Sequence, residues 1–402
     1  MQPHSIYLHI PFCRHRCGYC DFNTYAGQEA LVPAYVQALC SEARLLGKGA
    51  ARRIPVHTIF FGGGTPSLLL PEHLEAILGA LHEHFDVHSQ AEVSLEANPG
   101  TLSRHYLETL RRLGVNRLSL GMQSAHPGEL RLLERQHNYT DVIQAATWAR
   151  QAGFDNLNLD LIFGLPEQAL ETWQRSLELA LGLHPEHLAL YALTLEHGTP
   201  FGRWARRGLL SVPDPDLAAE MYEWASETLD KFGYAQYEIS NWVAGSMHRE
   251  ASPALACRHN LQYWRNLPYL GLGAGAHGFA GGRRTANLLA PGVYIQRLQA
   301  SGEELAASDP WPVTPATQSA QVIERAAEIA ETMMMGLRLT LEGVSDRAFQ
   351  ARFGQSLEQV FVRQIERLLR LGLLEWAGED KDILRLTSKG RLLGNQVFVE
   401  FI

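Results

Sequence analysis

No stretch of this sequence approaches the roughly 20 consecutive apolar residues that cross a bilayer, although 46% of its 402 residues are hydrophobic. That apolar content fills a globular interior instead, and the length suits two or so domains. Cations are also scarce: 35 Lys and Arg stand against 43 Asp and Glu, for a net charge of −8. With no long basic run, a nucleic-acid partner is not expected, and Arg203-Trp-Ala-Arg-Arg207 reads as a solvated helix end. Cysteine is rarer still. Five cysteines and no apolar leader argue against a disulfide framework and for a reducing, cytoplasmic compartment. Peripheral contact with the inner face of a membrane is compatible with all of this.

Three of the five cysteines are concentrated in Cys13-x3-Cys17-x2-Cys20, directly after the apolar run Ile6-Tyr-Leu-His-Ile10. Three thiolates can each hold one iron of a [4Fe–4S] cube, which leaves the fourth iron open to a small molecule. Zinc is the competing reading, but it usually draws four Cys or His ligands in two separated pairs. Here the fourth would have to be His9, His15 or the distant Cys257.

Short β-rich runs alternate with amphipathic stretches through the first half, the signature of βα units around a parallel sheet. Strands are expected at 6–10, 58–61, 92–96, 117–120, 156–162 and 187–193. Helices are expected near 34–47, 72–85, 103–113, 140–152 and 169–183. Six such units suit an α/β fold, a partial (β/α)6 barrel, with a doubly wound sheet as the alternative. In both, residues at the carboxyl ends of the strands form the site. The reading divides the chain into a barrel over 1–235, an irregular segment over 236–315 and a small α+β winged-helix-like domain over 316–402. That last domain has helices at 320–336 and 357–371 and a two-stranded wing. It lacks a basic recognition face, so it reads as a packing or lid domain.

Polar and glycine residues recur at the expected strand ends. In Phe61-Gly62-Gly63-Gly64-Thr65, consecutive glycines let backbone groups approach a ligand that a Cβ would block, and no Lys-Ser/Thr follows to make a phosphate loop. Glu96 can accept hydrogen bonds from hydroxyl or ammonium groups. Gln123 ends the fourth strand, and Arg135 twelve residues on can grip a carboxylate with a forked pair of N–H groups. Asp160 is an acid in an otherwise apolar strand; unpaired it would be costly, so a ribose or cationic partner is expected. Gly271-Leu-Gly-Ala-Gly-Ala-His277 mimics a dinucleotide fingerprint without the βαβ context or the downstream acid. His259-Asn260-Leu-Gln-Tyr263-Trp264 puts an imidazole beside flat aromatic surface, which suits a haem.

The three-cysteine motif, with Tyr7, the His9-Ile-Pro-Phe lead-in and Tyr19, resembles the radical S-adenosylmethionine (SAM) superfamily. Within it the likeness is to the branch that contains oxygen-independent coproporphyrinogen III oxidase. The resemblance implies the partial barrel, a [4Fe–4S] cluster on Cys13, Cys17 and Cys20, and SAM chelating the open iron. It implies SAM contacts from Tyr7, Tyr19, Gly63, Gly64, Thr65, Glu96, Gln123, Arg135, Asp160, Thr194 and His277. The oxidases carry a further cysteine where this chain has Phe22, and a longer segment ahead of the motif, where only twelve residues precede Cys13. The H-N-x-x-Y-W string resembles the one that marks the haem-chaperone members of the branch. Together these imply a haem chaperone, with haem as cargo at His259, Asn260, Tyr263 and Trp264. The implied partners are acceptor haemoproteins, respiratory and membrane-associated, a low-potential electron donor where SAM is cleaved, and a second copy in a homodimer. The alternative is the enzyme itself, oxidatively decarboxylating propionate side chains of coproporphyrinogen III.

Overall fold

The computed structural model describes residues 2–245, 253–300 and 310–402, in two compact units. The first comprises Met1–Met221 and Pro268–Val322, the second Tyr222–Leu267 and Ile323–Ile402. The 236–315 stretch is thus shared between them, and its residues 246–252 and 301–309 lie outside the described residues.

In the first unit six strands run in chain order: β1 (His4–Ile10), β2 (Pro55–Gly63), β3 (Asp86–Ala97), β4 (Arg117–Gln123), β5 (Leu157–Phe163) and β6 (His187–Ala192). Each pairs in parallel with the next. A doubly wound sheet would reverse its order at a switch point; this one does not, so the barrel reading stands. The crossovers include helices α1 (Val32–Gly49), α2 (Pro71–His84), α3 (Arg104–Arg112), α4 (Tyr139–Gln151) and α5 (Leu170–Leu181). Both faces of β1 are buried almost throughout, as parallel strands covered on both sides require. Polar side chains nevertheless continue along the strands. Glu96, Ser119, Asn158 and His187 share one register row across β3 to β6, with Gly121, Asp160 and Ala189 in the next.

The irregular character expected for 236–315 does not hold. Tyr269–Leu272 pairs in parallel with β1, and His277–Ala280, Arg283–Asn287 and Thr317–Val322 extend the sheet antiparallel. These strands are short, and although 269–272, 277–280 and 283–287 pair with their neighbours, the first is seated on β1 and the last on 317–322, far away in sequence, so local periodicity carries no trace of them. The helix expected from 320 begins instead at Arg325, because 317–322 is an exposed edge strand held by backbone bonds to 283–287. The fingerprint-like glycines serve this sheet. A Cβ at Gly271 would lie 1.9 Å from the carbonyl oxygen of His277 on the adjoining strand.

The second unit holds an antiparallel hairpin, Tyr234–Glu238 with Asn241–Ala244, and helix Arg258–Trp264. Helices Arg325–Gly336, Asp346–Phe353 and Leu357–Arg370 precede the wing, Leu374–Ala377 against Ile383–Leu386, which Val344–Ser345 extends to three strands. Met333, Phe349, Phe353, Ile365, Leu384 and Val397 belong to its apolar core. Ser356 and Gln359 close a capping box that sets where Leu357–Arg370 starts. Among the described residues no helix is long and apolar enough to cross a membrane.

Candidate functional site

A cavity of about 640 Å³ opens at the carboxyl ends of the barrel strands, entirely within the first unit. That volume is in the range of small-molecule sites. It is lined by Cys13, Cys17, Tyr19 and Cys20 of the loop after β1, and by Gly63, Gly64 and Thr65 after β2. Glu96 of β3, Gln123 of β4, Arg135, Asp160 of β5 and Thr194 after β6, all singled out in the sequence, line it as well.

All three cysteines are free thiols. The Cys13 sulfur accepts a hydrogen bond from Thr65 Oγ1 at 3.5 Å, and the backbone N–H of Cys20 closes a turn onto Cys17 O at 3.1 Å. Burial pushes the Cys13 and Cys20 thiols up from their ordinary value. A metal bound to them would have to offset that by favouring the thiolates. Among the described residues no three His, Cys, Asp or Glu side chains converge on one point that a single metal ion could occupy. A cube asks for no such convergence, since each thiolate meets a different iron.

Glu96 and Asp160 are half-buried and line the cavity. Burial first, and the like charge of Asp160 second, push the Glu96 carboxyl up to about 8, and its Oε2 accepts one backbone bond, from Gly63 N at 3.1 Å. Asp160 is raised by burial too. The partner expected for it from a ligand is supplied by the barrel instead: Ser119 Oγ donates to Oδ2 at 2.8 Å and Asn158 Nδ2 to Oδ1 at 2.9 Å. Asn158 is in turn held by a 2.6 Å contact from its Oδ1 to His187 Nδ1. This row forms only when three strands are in register, which is why the sequence could not show it. Gln123 has a φ of 63°, a conformation that disfavours any side chain and clusters at functional sites. Arg135 donates from Nη2 to Gly121 O at 3.0 Å, while its Nε is buried with no partner. A guanidinium left incomplete at a cavity wall is a ready site for a carboxylate.

Two residues assigned to SAM lie outside the cavity lining. Tyr7 donates from its hydroxyl to His9 Nδ1 at 2.9 Å, and His9 Nε2 donates to Asn23 O at 2.9 Å. Its neighbour Glu96 and, more strongly, burial hold the Tyr7 phenol well above its ordinary range. His277 is exposed on the extra strand. Glu134 escaped the sequence reading, and His9 entered it only in the competing zinc reading and as the start of the motif's lead-in. The His9 ring fills the space that a Gly63 Cβ would take, 2.5 Å away, and Gly63 has a φ of 107°. Glu134 Oε2 holds His15 Nε2 at 3.0 Å on the cavity wall. Its signal was adjacency to Arg135, too weak to use alone.

The aromatic motif falls in the second unit, on helix Arg258–Trp264. His259 is 1% exposed, and its Nε2 lies 2.9 Å from the Tyr263 hydroxyl, one turn on. The open ring nitrogen expected there is therefore engaged, and Nε2 could reach an iron only by giving up Tyr263. Asn260, Tyr263 and Trp264 are half-buried, and the Arg338 guanidinium lies 5.0 Å from the Trp264 ring centre.

A partial barrel with a three-cysteine loop after its first strand, beside a cavity rimmed by glycines and acids, defines a radical SAM protein. The model of the radical SAM superfamily matches residues 7–180, and that of the HemN C-terminal domain matches 323–393. The chain is 38% identical over 400 residues to the heme chaperone HemW of Bacillus subtilis, covering 99% of each. It is 36% identical to that of Lactococcus lactis, covering all of this chain and 98% of that one. Mitochondrial radical S-adenosyl methionine domain-containing protein 1 of Mus musculus is 36% identical over 382 residues, 92% of this chain and 81% of that one. The chain therefore belongs to the HemW family of the radical SAM superfamily. The coproporphyrinogen III oxidase HemN of Escherichia coli shares the fold, with a TM-score of 0.82 over 99% of this chain and 90% of that one, at 24% identity. Membership implies a [4Fe–4S] cluster and SAM, and the free thiols, the incomplete Arg135 and the two cavity-facing carboxylates fit both.

Proposed function

We propose that this protein is a haem chaperone that binds a [4Fe–4S] cluster, SAM and haem and hands haem to acceptor haemoproteins. The single observation behind the cofactor part is that Cys13, Cys17, Cys20, Glu96, Asp160 and Arg135 line one cavity. The names of the HemW relatives support the cargo. A cluster on the three thiolates would supply a redox centre with one open iron for SAM. The protein's own part is to bind and orient. Arg135 offers its unpartnered Nε to a carboxylate, and the Gly63–Thr65 turn offers backbone groups to an amine. Glu96 and Asp160 meet hydroxyl or ammonium groups, and Tyr19, kept protonated by burial, closes the cluster side.

His259, Asn260, Tyr263 and Trp264 enter as the haem segment, with the Tyr263 bond to His259 broken or kept according to whether Nε2 meets iron. The protein works in the cytoplasm, at the inner face of the membrane when it meets respiratory acceptors, and as a homodimer. The division into a barrel, a connecting haem segment and a winged-helix-like lid belongs to the same proposal. A low-potential donor is needed only where SAM is cleaved.

The second reading is the decarboxylating oxidase, favoured by the shared fold with HemN. Anaerobic reconstitution followed by haem titration and porphyrin analysis in parallel separates the two. The chaperone binds haem stoichiometrically and makes no protoporphyrinogen; robust decarboxylation with SAM and reductant would sink the proposal.

A further inference from the structure

Strand β4 does not run evenly into the cavity. Its pairing with β5 shifts between Gly121 and Gln123, so that Met122 is an extra residue in the ladder. Such a bulge leaves one residue unpaired and re-aims a side chain, and bulges recur beside active sites. Here it brings Gln123 to the cavity wall with its φ of 63°. A Cβ at Gly121 would lie 2.9 Å from Gln123 Nε2 and 3.0 Å from Arg135 Nη2, so the amide and the guanidinium converge over this glycine.

The carbonyl at the bulge belongs to the peptide that leads into Gln123. Met122 O accepts from Ser124 N at 2.8 Å and from His137 Nε2 at 3.1 Å. His137 lies directly before Asn138, whose side chain accepts from Asp141 N at 3.2 Å and so fixes where α4 begins. The ring is 5% exposed, and burial, with the charge of Arg135 behind it, pushes its pKa down to about 4. It is therefore neutral near pH 7. A carbonyl can only accept, so the single ring proton is on Nε2, and Nδ1 is buried with no partner. An unanswered buried nitrogen costs free energy that a methionine of similar size would avoid. What the imidazole supplies in exchange is the N–H on Met122 O.

We infer that His137 is a positioning residue for the ligand site: its Nε2–H locks the Met122 bulge, and through that peptide it aims Gln123, beside Arg135, into the cavity. His137 itself is absent from the cavity lining, so its effect on a ligand passes through these neighbours. The inference rests on the SAM part of the function proposed above.

The test measures the SAM affinity of the reconstituted full chain by calorimetry. His137→Met removes the N–H at similar volume and is expected to weaken SAM about fivefold or more. His137→Gln returns an N–H near the Nε2 position and should stay within about twofold of the wild type. In a Gln123→Ala background the His137→Met loss should shrink to less than about twofold, because the side chain it acts through is already gone. Iron content and the denaturation midpoint check that each variant folds and takes up the cluster. A folded, loaded His137→Met within about twofold of the wild type overturns the inference. A loss that persists undiminished without the Gln123 side chain, or that His137→Gln does not reduce, overturns it too. If His137→Met does not fold, the imidazole itself carries the test. Nitrogen NMR of the histidine-labelled wild type, with the His137 signal identified by its absence from His137→Gln, should show a neutral Nε2–H ring at pH 7; a charged ring or an Nδ1–H tautomer overturns the inference. A loaded wild type that binds no SAM overturns the SAM reading itself, and the inference with it.

Discussion

Glu42 and Glu96 belong to the same unit, and burial raises both carboxyls, yet their surroundings differ in kind. Glu42, on α1, is 1% exposed and accepts from four groups. These are the Tyr294 hydroxyl at 2.6 Å, Asn287 Nδ2 at 2.8 Å, Gly273 N at 2.9 Å and Thr314 Oγ1 at 3.1 Å. Together they pin the glycine-rich turn that precedes His277. Glu96 accepts from Gly63 N and has the like-charged Asp160 nearby. A carboxylate whose lone pairs are filled from within is scaffold; one left short of donors at a cavity wall is waiting for a ligand. The direction in which burial shifts the two carboxyls does not tell them apart, and the partner list does.

Removing Glu42 should have the largest effect. Glu42→Ala leaves four donors unanswered and is expected to cost roughly 3–5 kcal/mol of stability by chemical denaturation. A loss below about 1 kcal/mol would erase the contrast. Glu96→Gln should behave oppositely. It is expected to weaken SAM binding to the reconstituted protein about tenfold or more, by calorimetry, because a carboxyl that a bound ammonium group can draw into its charged form is replaced by an amide that cannot ionise, without a comparable loss of stability. The pH dependence sharpens this. The folded chain holds the Glu96 proton up to about 8 against an ordinary value of 4.5, so its contribution to stability is complete below about 4.5 and is lost as pH rises through about 8. The apoprotein's denaturation midpoint should fall across that window, and Glu96→Gln should flatten the fall. Arg135→Lys keeps a charge at the wall but removes the fork, and about a tenfold weaker SAM affinity is expected. His277→Ala, exposed and off the cavity wall, should change stability by less than about 0.5 kcal/mol and leave SAM affinity within about twofold. A large loss of affinity there would return His277 to the site.

Much of the cavity was legible in advance. Cys13, Cys17 and Cys20 carry their chemistry in two short spacings, and Gly63, Glu96, Gln123 and Asp160 each end or interrupt a strand whose apolar run is plain. Tyr7 and His277 were carried by likeness, and neither is in the cavity lining: Tyr7 bonds to His9, and His277 is exposed on an extra strand. The end of strand Thr317–Val322, from 320, read as helix because its residues show no alternation; its backbone pairing came from 283–287.

The order of residues along the chain was enough to fix the six βα units and the cluster loop, because both are written in local spacing and composition. Which buried polar groups are answered was decided only by tertiary structure. Ser119 meets Asp160 across 41 positions, and four donors meet Glu42 across 231 or more, and hydrogen bonds of that range depend on strand register and helix packing that no neighbouring residues encode.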